Sequence, residues 1–318
     1  MNKRRISFNR HVLAVVLSFG PLFAHADLNL TVSDEQQINA LVDRWNNVLN
    51  RVQGAQPQSL YADQVDWFGK VLPAQQVIAN DREFLAKNKD YRQSIVSTLN
   101  IQPTGENDDR VLVRFVKRAG VDTDNEKNYP AELQLQKNAA GWSIVSETDA
   151  ITRRNQHKND DTGVAKGKFD GTHISYAWMS DANPRTGSAC TPDSDCDCTL
   201  WNSDPRIKPV NISQCLAGTI ETLAALDDSG RDRAVVFPEW WTSAMRVVYV
   251  YDIQQNQWIK TLPGFSMNIN LQEAETAADL VKRDPQHPGH VNVTQAIYDE
   301  VKEEPATQVI NQTLLTLK

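Results

Sequence analysis

The chain has 318 residues, with 33 basic and 40 acidic side chains and a formal net charge of −7. Four of the basic residues and none of the acidic ones lie in the first 26 positions, so residues 27–318 carry 29 basic against 40 acidic side chains, a net charge of −11. An acidic chain is a poor ligand for nucleic acid or an anionic membrane, and its length favours two domains over one.

Residues 1–26 have the pattern of a secretory signal peptide. An apolar run extends from Val12 to Ala24 and ends in the A-x-A cleavage site Ala24-His25-Ala26. The basic residues before the run are Lys3, Arg4, Arg5 and Arg10. The run of about thirteen residues is shorter than the roughly 20 that a membrane-spanning helix needs. We therefore expect a periplasmic or secreted protein that does not span the membrane.

The segment 33–152 predicts an α+β domain, with helices first and an antiparallel sheet after them. Ser33 is the expected N-cap of the first helix. Its apolar residues recur at spacings of three and four: Ile38, Leu41, Val42, Trp45, Val48, Leu49 and Val52. A second helix is predicted from Pro73 to Lys87. Alternating apolar residues then predict strands at 94–102, 110–118, 131–137 and 142–148.

This domain resembles the nuclear-transport-factor-2-like, or SnoaL-like, superfamily, in which a curved sheet wraps helices to form a cone. The matching parts are the helix 38–52, the segment 60–70 (LYADQVDWFGK), the helix after it and the strand that starts Gly141-Trp142-Ser143-Ile144. The resemblance implies a pocket inside the cone. Enzymes of this superfamily typically place a carboxylate there with Tyr or His partners.

Asp66, beside Trp67 and Phe68, is the candidate catalytic carboxylate, with Tyr61 and Tyr91 as its partners. The alternative is that these side chains only form a core or a turn, and two observations favour it. Residues 27–152 contain no histidine, and aromatic residues at such spacings are more often structural. The chain also lacks the G-x-S-x-G, H-E-x-x-H, G-x-x-x-x-G-K-[ST] and G-x-G-x-x-G motifs, so we expect no cofactor.

The polar segment 153–167 predicts a linker to a β-rich domain over 168–318. Strands are predicted there at 173–179, 233–237, 245–251 and 257–262, whereas 291–297 and 307–317 fit either strand or helix. The segment 225–232 (ALDDSGRD) resembles one degenerate FG-GAP or VCBS repeat, whose acidic loop holds calcium. Ala225 and Ser229 stand at ligand positions and Arg233 follows, so we expect a structural turn without metal.

Cys190, Cys196, Cys198 and Cys215 are clustered within 26 residues. Their spacing fits a zinc site poorly, and export favours oxidation, so we expect two disulfides. A bond between Cys196 and Cys198 would close a strained ring. Cys215 is therefore expected to pair with Cys196 or Cys198, and Cys190 with the other.

Two further groups have a structural and a functional interpretation. Asp284, His287 and His290 form a metal-like string, but Pro285, Pro288 and Gly289 break any helix, so a surface turn is expected. Neighbouring residues of a strand point to opposite faces, so only one of Trp240 and Trp241 needs to lie in the core. The other is a candidate for a recognition surface with three residues that follow it: Arg246, Tyr249 and Tyr251.

The leading functional hypothesis is an exported binding or inhibitory, immunity-like protein with no clear catalytic site. Its acidity favours a basic envelope or toxin protein as partner, because opposite charge accelerates encounter. The alternative is a small apolar ligand or substrate in the cone, bound or transformed by an isomerase- or dehydratase-like enzyme through Asp66 and Tyr61.

Overall fold

The computed structural model describes residues 30–104, 109–122, 124–156, 163–180, 196–240, 244–272 and 275–317. The expected signal peptide lies outside these ranges. Within them, no helix is both long and apolar enough to cross a membrane.

The first half of the chain packs two helices against one seven-stranded sheet. Its elements are α1 (Val32–Leu49), β1 (Tyr61–Trp67), β2 (Lys70–Pro73), α2 (Ala74–Lys87), β3 (Arg92–Ile95), β4 (Asn100–Pro103), β5 (Arg110–Gly120), β6 (Lys127–Asn138), β7 (Gly141–Asp149) and α3 (Ala150–Gln156). The strand order is β2-β1-β7-β6-β5-β3, and β4 also pairs with β5. All pairs are antiparallel except β1 with β7.

The apolar faces of α1 and α2 form one core with the inner face of this sheet. Trp45 of α1 lies edge-on to Phe115 of β5, with ring centroids 5.7 Å apart. The core also includes Ile38, Leu41, Val42, Val77, Val113, Leu133, Leu135 and Ile144. The expected arrangement of helices on a sheet is therefore present in this half.

In the described part of the second half, most of the regular secondary structure is strand. Its elements are β8 (Val164–Gly167), β9 (Ser175–Ser180), β10 (Asp197–Asn202), β11 (Val210–Ser213), β12 (Ala217–Leu223), β13 (Arg233–Glu239), β14 (Met245–Gln254), β15 (Gln257–Lys260), β16 (Phe265–Asn268), α4 (Ile269–Gln272), α5 (Ala277–Leu280), β17 (Val281–Arg283), β18 (His290–Asp299) and β19 (Glu304–Thr313). The strands form three antiparallel sheets, which consist of β8–β11, β12–β16 and β17–β19.

The sheet β12–β16 lies between the other two sheets, and its strand β13 is therefore buried on both faces. Ala234 and Val236 pack toward β8–β11, whereas Val235 and Phe237 pack toward β17–β19. The sheet β8–β11 in turn packs against the first half of the molecule through a shared apolar cluster. Its buried members are Val116, Ala150, Ile151, Val164, Trp178 and Trp201.

Several element boundaries differ from the sequence prediction. The N-cap of α1 is Thr31 rather than Ser33, because the Thr31 hydroxyl accepts the Asp34 backbone N–H at 3.1 Å. The predicted strand 94–102 is two strands, β3 and β4, which both pair with the long β5. The segment 291–297 is strand β18, and 307–317 is strand only as far as Thr313.

The expected linker 153–167 contains secondary structure at both ends. Helix α3 continues to Gln156, and Arg154 donates 2.7 Å to the backbone carbonyl of Val164. Residues 164–167 form β8, the edge strand of the second sheet. The polar composition of this segment therefore did not predict that its two ends belong to α3 and β8.

Candidate functional site

A cluster of polar groups lies between α2 and the inner face of the first sheet, with Tyr61 and Glu147 buried and Asp81 half-buried. The Tyr61 hydroxyl is 2.8 Å from Glu147 Oε2 and 3.3 Å from Asp81 Oδ2. A hydroxyl has a single proton, so Tyr61 cannot donate fully to both carboxylates. When Asp81 is protonated, it can donate to the Tyr61 oxygen while Tyr61 donates to Glu147, and the three groups then form one hydrogen-bonded chain.

Helix α2 places Asp81 on its buried face. Val77 and Ile78 of this helix are in the core, and Asp81 follows them by four and three residues. Side chains at these spacings lie on the same face of a helix. The apolar stripe that defines the helix therefore also carries a carboxylate to Tyr61.

A β-bulge aims Glu147 into the same space. Leu133 and Leu135 of β6 are both core residues, and they pair with Glu147 and Ile144 of β7. The two core positions are two residues apart on β6 and three apart on β7. The extra residue on β7 turns Glu147 from the outer face, where simple alternation would place it, to the inner face.

Burial raises the pKa of both carboxylates, and Glu147 also repels the charge of Asp81. Burial, and then the negative charge of Glu147, raise the pKa of Asp81 to about 7. Burial also raises the pKa of Glu147, although the nearby Lys117 ammonium and the hydrogen bond from Tyr61 act in the opposite direction. The pKa of Tyr61 is raised by burial and by both carboxylates, which keeps its hydroxyl protonated.

Aromatic and amide groups surround the cluster. The Tyr91 hydroxyl donates 2.8 Å to Gln93 Oε1, and burial followed by the charge of Glu147 raises the pKa of Tyr91. The Lys117 ammonium lies 5.6 Å from the ring centroid of Trp45. The Trp45 indole N–H helps to lower the pKa of Glu147, yet it is buried without a well-formed hydrogen bond.

Of the three predicted catalytic residues, Tyr61 is at the centre of this cluster, Tyr91 lies beside it, and Asp66 lies outside it. Asp66 is exposed, and its carboxylate accepts the Gly69 backbone N–H at 3.0 Å in the turn between β1 and β2. The carboxylates beside Tyr61 are Asp81 and Glu147, which sequence reasoning missed.

The predicted recognition surface is only partly exposed. Trp240 is 36% exposed, whereas Tyr251 is buried, so Tyr251 cannot contribute a contact surface. Arg246 forms a 3.4 Å ion pair with Glu239, and the Lys260 ammonium lies 4.9 Å from the Tyr249 ring centroid. Trp241 lies outside the described residues.

The cysteine prediction is confirmed where the structure describes it. Cys198 and Cys215 form a disulfide that ties β10 to the start of β12, with Cα atoms 5.2 Å apart. Cys196 is also disulfide-bonded. Cys190 lies outside the described residues.

The segment 225–232 uses its acidic residues for internal contacts. The carboxylate of Asp227 lies 2.6 Å from Arg233, a fully buried side chain, and accepts the Ser229 backbone N–H at 3.0 Å. The Asp284 carboxylate is likewise engaged, by His287 at 2.8 Å and Asn311 at 2.8 Å. Among the described residues, no group of three or more His, Cys, Asp or Glu side chains could hold a metal ion.

No family model and no curated protein matches this chain. Among solved structures, an NTF2-like protein of unknown function from Pseudomonas putida KT2440 is 17% identical; the match covers 37% of this chain and 87% of that one, with a TM-score of 0.31. An uncharacterised protein with a cystatin-like fold from Caulobacter vibrioides is 14% identical over 39% of this chain and 94% of its own, with a TM-score of 0.32.

A domain of unknown function with a cystatin-like fold from Nostoc punctiforme PCC 73102 is similar to this chain to about the same extent. Its identity is 16%, and the match covers 38% of this chain and 78% of that chain with a TM-score of 0.32. These similarities concern little more than a third of the chain and carry no inference about its function.

Proposed function

We propose that this chain is an exported protein whose first half binds a small, largely apolar molecule and transfers protons to and from it, as an isomerase or dehydratase does. The observation that carries the proposal is the Tyr61 hydroxyl held between the carboxylates of Asp81 and Glu147. Export rests on the sequence pattern of residues 1–26.

The energetic cost of this arrangement supports a functional role. Transferring a carboxylate into a protein interior costs several kcal/mol unless it is fully compensated. Within the described residues, no ion pair within 4.0 Å neutralises Glu147 or Asp81, and Lys117 acts on them only from a distance. Buried titratable groups with such raised pKa values are concentrated at catalytic and binding sites.

The two carboxylates differ in a way that suits proton transfer. The charge of Glu147 helps to raise the pKa of Asp81 to about 7, so Asp81 is about half protonated near pH 7, whereas the charge of Asp81 is not a cause of the raised pKa of Glu147. Lys117 and the Tyr61 hydrogen bond favour the charged form of both carboxylates. A pair of acids whose pKa values are pushed apart supplies one base and one acid at the same pH. We assign Glu147 as the base, Asp81 as the acid and Tyr61 as the hydroxyl that connects them.

The test is native mass spectrometry of the oxidised protein purified from the periplasm, with organic extraction of any retained small molecule. The wild-type chain should retain an apolar molecule. Glu147→Gln and Tyr61→Phe should lower its retention at least tenfold. Absence of a retained molecule in the wild type, or equal retention in the variants, would contradict the proposal.

Asp66→Asn is the matched control for this experiment. It removes a carboxylate from the same strand as Tyr61, but an exposed one outside the cluster. Retention should therefore equal that of the wild type. If Asp66→Asn loses as much of the retained molecule as Glu147→Gln, Asp66, the carboxylate predicted from the sequence, takes part in the site.

A second candidate function is the docking of a basic envelope or toxin protein on the second half. The observation that favours it is an exposed apolar row on β14, where Met245 is 39% and Val247 45% exposed on the same strand face, near the partly exposed Trp240. An interface needs such apolar anchors in addition to complementary charge.

Affinity capture of the oxidised chain at low salt tests this second candidate. A stoichiometric basic protein should be released by salt and lost with Val247→Asp. Val309→Asp is the control, because Val309 is a 62% exposed residue on the separate sheet β17–β19. Equal capture by the two variants would exclude β14 as the docking surface.

A further inference from the structure

A cavity of about 520 Å³ lies between the two halves of the molecule, and its lining does not include Tyr61, Asp81 or Glu147. The first sheet contributes Arg114, Val116 and Glu132 to its walls, and the second sheet contributes Trp178, Thr199 and Trp201. A second cavity of about 350 Å³ shares Arg114, Glu132, Trp178 and Met179 with it. We call the two together the interdomain cleft. Its size is in the range of small-molecule sites, which often lie between domains.

Positive charge exceeds negative charge in the cleft. Glu132 Oε1 is 3.4 Å from Arg114 Nε, and Glu132 Oε2 is 3.1 Å from Arg153 Nη1. The described residues that line the two cavities carry no charged side chain besides these three. One carboxylate is therefore shared by two guanidinium groups, which leaves a formal charge of +1.

Hydrogen-bond donors are also in excess there. The indole N–H of Trp178 and Nε of Arg153 are buried and have no acceptor. A buried donor without an acceptor is costly, so both groups favour the arrival of an additional oxygen acceptor. The rest of the wall combines apolar residues with uncharged polar ones. The apolar part includes Val116, Trp178 and Trp201, which also form the cluster that joins the halves.

We propose that the interdomain cleft binds a small amphiphilic monoanion, an apolar molecule that carries one carboxylate or sulfonate. Its apolar body packs against the tryptophan-lined wall. Its anionic oxygens lie at Arg114, which is the more exposed of the two arginines, with 43% of its side chain accessible. This site is separate from the proton-transfer site proposed for the first half.

The test compares two fluorescent probes that differ mainly in charge. The anionic probe is 1-anilinonaphthalene-8-sulfonate, and the neutral probe is N-phenyl-1-naphthylamine, which has the same aromatic skeleton without the sulfonate. The oxidised full chain should bind one anionic probe, at least tenfold more tightly than the neutral probe, because a charge-assisted contact to arginine adds to apolar burial.

Two variants and their controls locate the binding. Arg114→Gln should abolish the preference for the anionic probe and leave the neutral probe unaffected, whereas Arg110→Gln, an exposed arginine on the same strand, should behave as the wild type. Thr199→Trp should block both probes by filling the cavity. Glu147→Gln should change neither, which separates this site from the cluster around Tyr61.

Equal affinity of the wild type for the two probes would overturn the proposal. So would equal effects of Arg114→Gln and Arg110→Gln, since the binding would then depend on general surface charge. Full binding by a folded Thr199→Trp variant, verified by an unchanged far-UV circular dichroism spectrum, would place the probes elsewhere. If that variant does not fold, the comparison of the two arginine variants still decides the question.

Discussion

The carboxylate of Asp34, in the first turn of α1, accepts a 3.1 Å hydrogen bond from the indole N–H of Trp142, 108 residues further along the chain in β7. Lys137 of β6 adds an ion pair of 2.7 Å to the same oxygen, and Thr31 donates to the other oxygen at 2.7 Å. These contacts hold the pKa of Asp34 at about 2, the Lys137 contact contributing most. One carboxylate thus fastens the start of α1 to the sheet.

Asp34→Ala should lower the free energy of unfolding by about 3 kcal/mol, because it leaves the buried Trp142 N–H without an acceptor and removes a hydrogen-bonded charge. Urea denaturation followed by tryptophan fluorescence measures the change. Glu35→Ala, an exposed acidic residue in the same turn, is the control and should cost under about 0.5 kcal/mol. Similar losses in the two variants would mean that the bond to Trp142 adds no stability.

Arg233 and Asp252 form a buried ionic pair under the 225–232 turn. Both are fully buried and 3.4 Å apart, and Asp252 is also 2.8 Å from Arg231. Arg233→Met should destabilise the protein by about 3–5 kcal/mol, because it leaves buried carboxylates undercompensated. The double variant Arg233→Met/Asp252→Asn should recover part of this loss.

The control for that series is Arg206→Met, which breaks a surface ion pair whose arginine side chain is 71% exposed. Its effect on the free energy of unfolding should be much smaller than that of Arg233→Met, because solvent screens an exposed ion pair. If the double variant is less stable than Arg233→Met alone, the loss arises from packing and not from an uncompensated charge.

The disulfide between Cys198 and Cys215 closes a loop with a sequence separation of 17 residues. A crosslink over such a distance stabilises a protein by about 3 kcal/mol, mainly by restricting the unfolded chain. Cys198→Ala/Cys215→Ala should lower the urea midpoint accordingly, with little change in the denaturant slope. A loss below about 1 kcal/mol would show that β10 and β12 hold this loop without the bond.

The general arrangement of the first half was predictable from the sequence, because the spacing of its apolar residues is that of helices and strands. In the structure these apolar residues pack together in one core. The carboxylates of the candidate site were not. Glu147 is the third residue after the core residue Ile144, and a strand without a bulge would point it outward. The bulge depends on pairing with β6, which a local pattern does not contain.

Asp81 did leave a signal in the sequence. It interrupts the apolar stripe of α2, and an acidic residue on the buried face of a helix needs an explanation. Asp66 attracted attention because aromatic residues follow it, but it lies near the end of β1, and its carboxylate accepts the backbone N–H of Gly69 in the turn that follows. The cleft between the halves depends on how distant sheets pack, so no local pattern predicts it.

The raised pKa of Asp81 predicts how stability depends on pH. The usual pKa of 3.8 applies to the unfolded chain, and the folded value is about 7. Between these values the folded protein binds a proton that the unfolded chain has released. The free energy of unfolding therefore falls as the pH rises from about 4 to about 7, at up to about 1.4 kcal/mol per pH unit for one proton.

Asp81→Asn should remove this part of the slope, so that the difference in unfolding free energy between variant and wild type grows steadily from pH 4 to pH 7. Glu147 acts in the same direction, so the slope of the variant itself need not vanish. Glu147→Gln should lower the pKa of Asp81, since it removes the charge that repels it, and a carbon-13 NMR titration of the Asp81 carboxyl measures that shift directly. A constant difference between Asp81→Asn and the wild type over this range would show that Asp81 is ionised in the folded protein at pH 4 and above, and the assignment of Asp81 as the acid would fail.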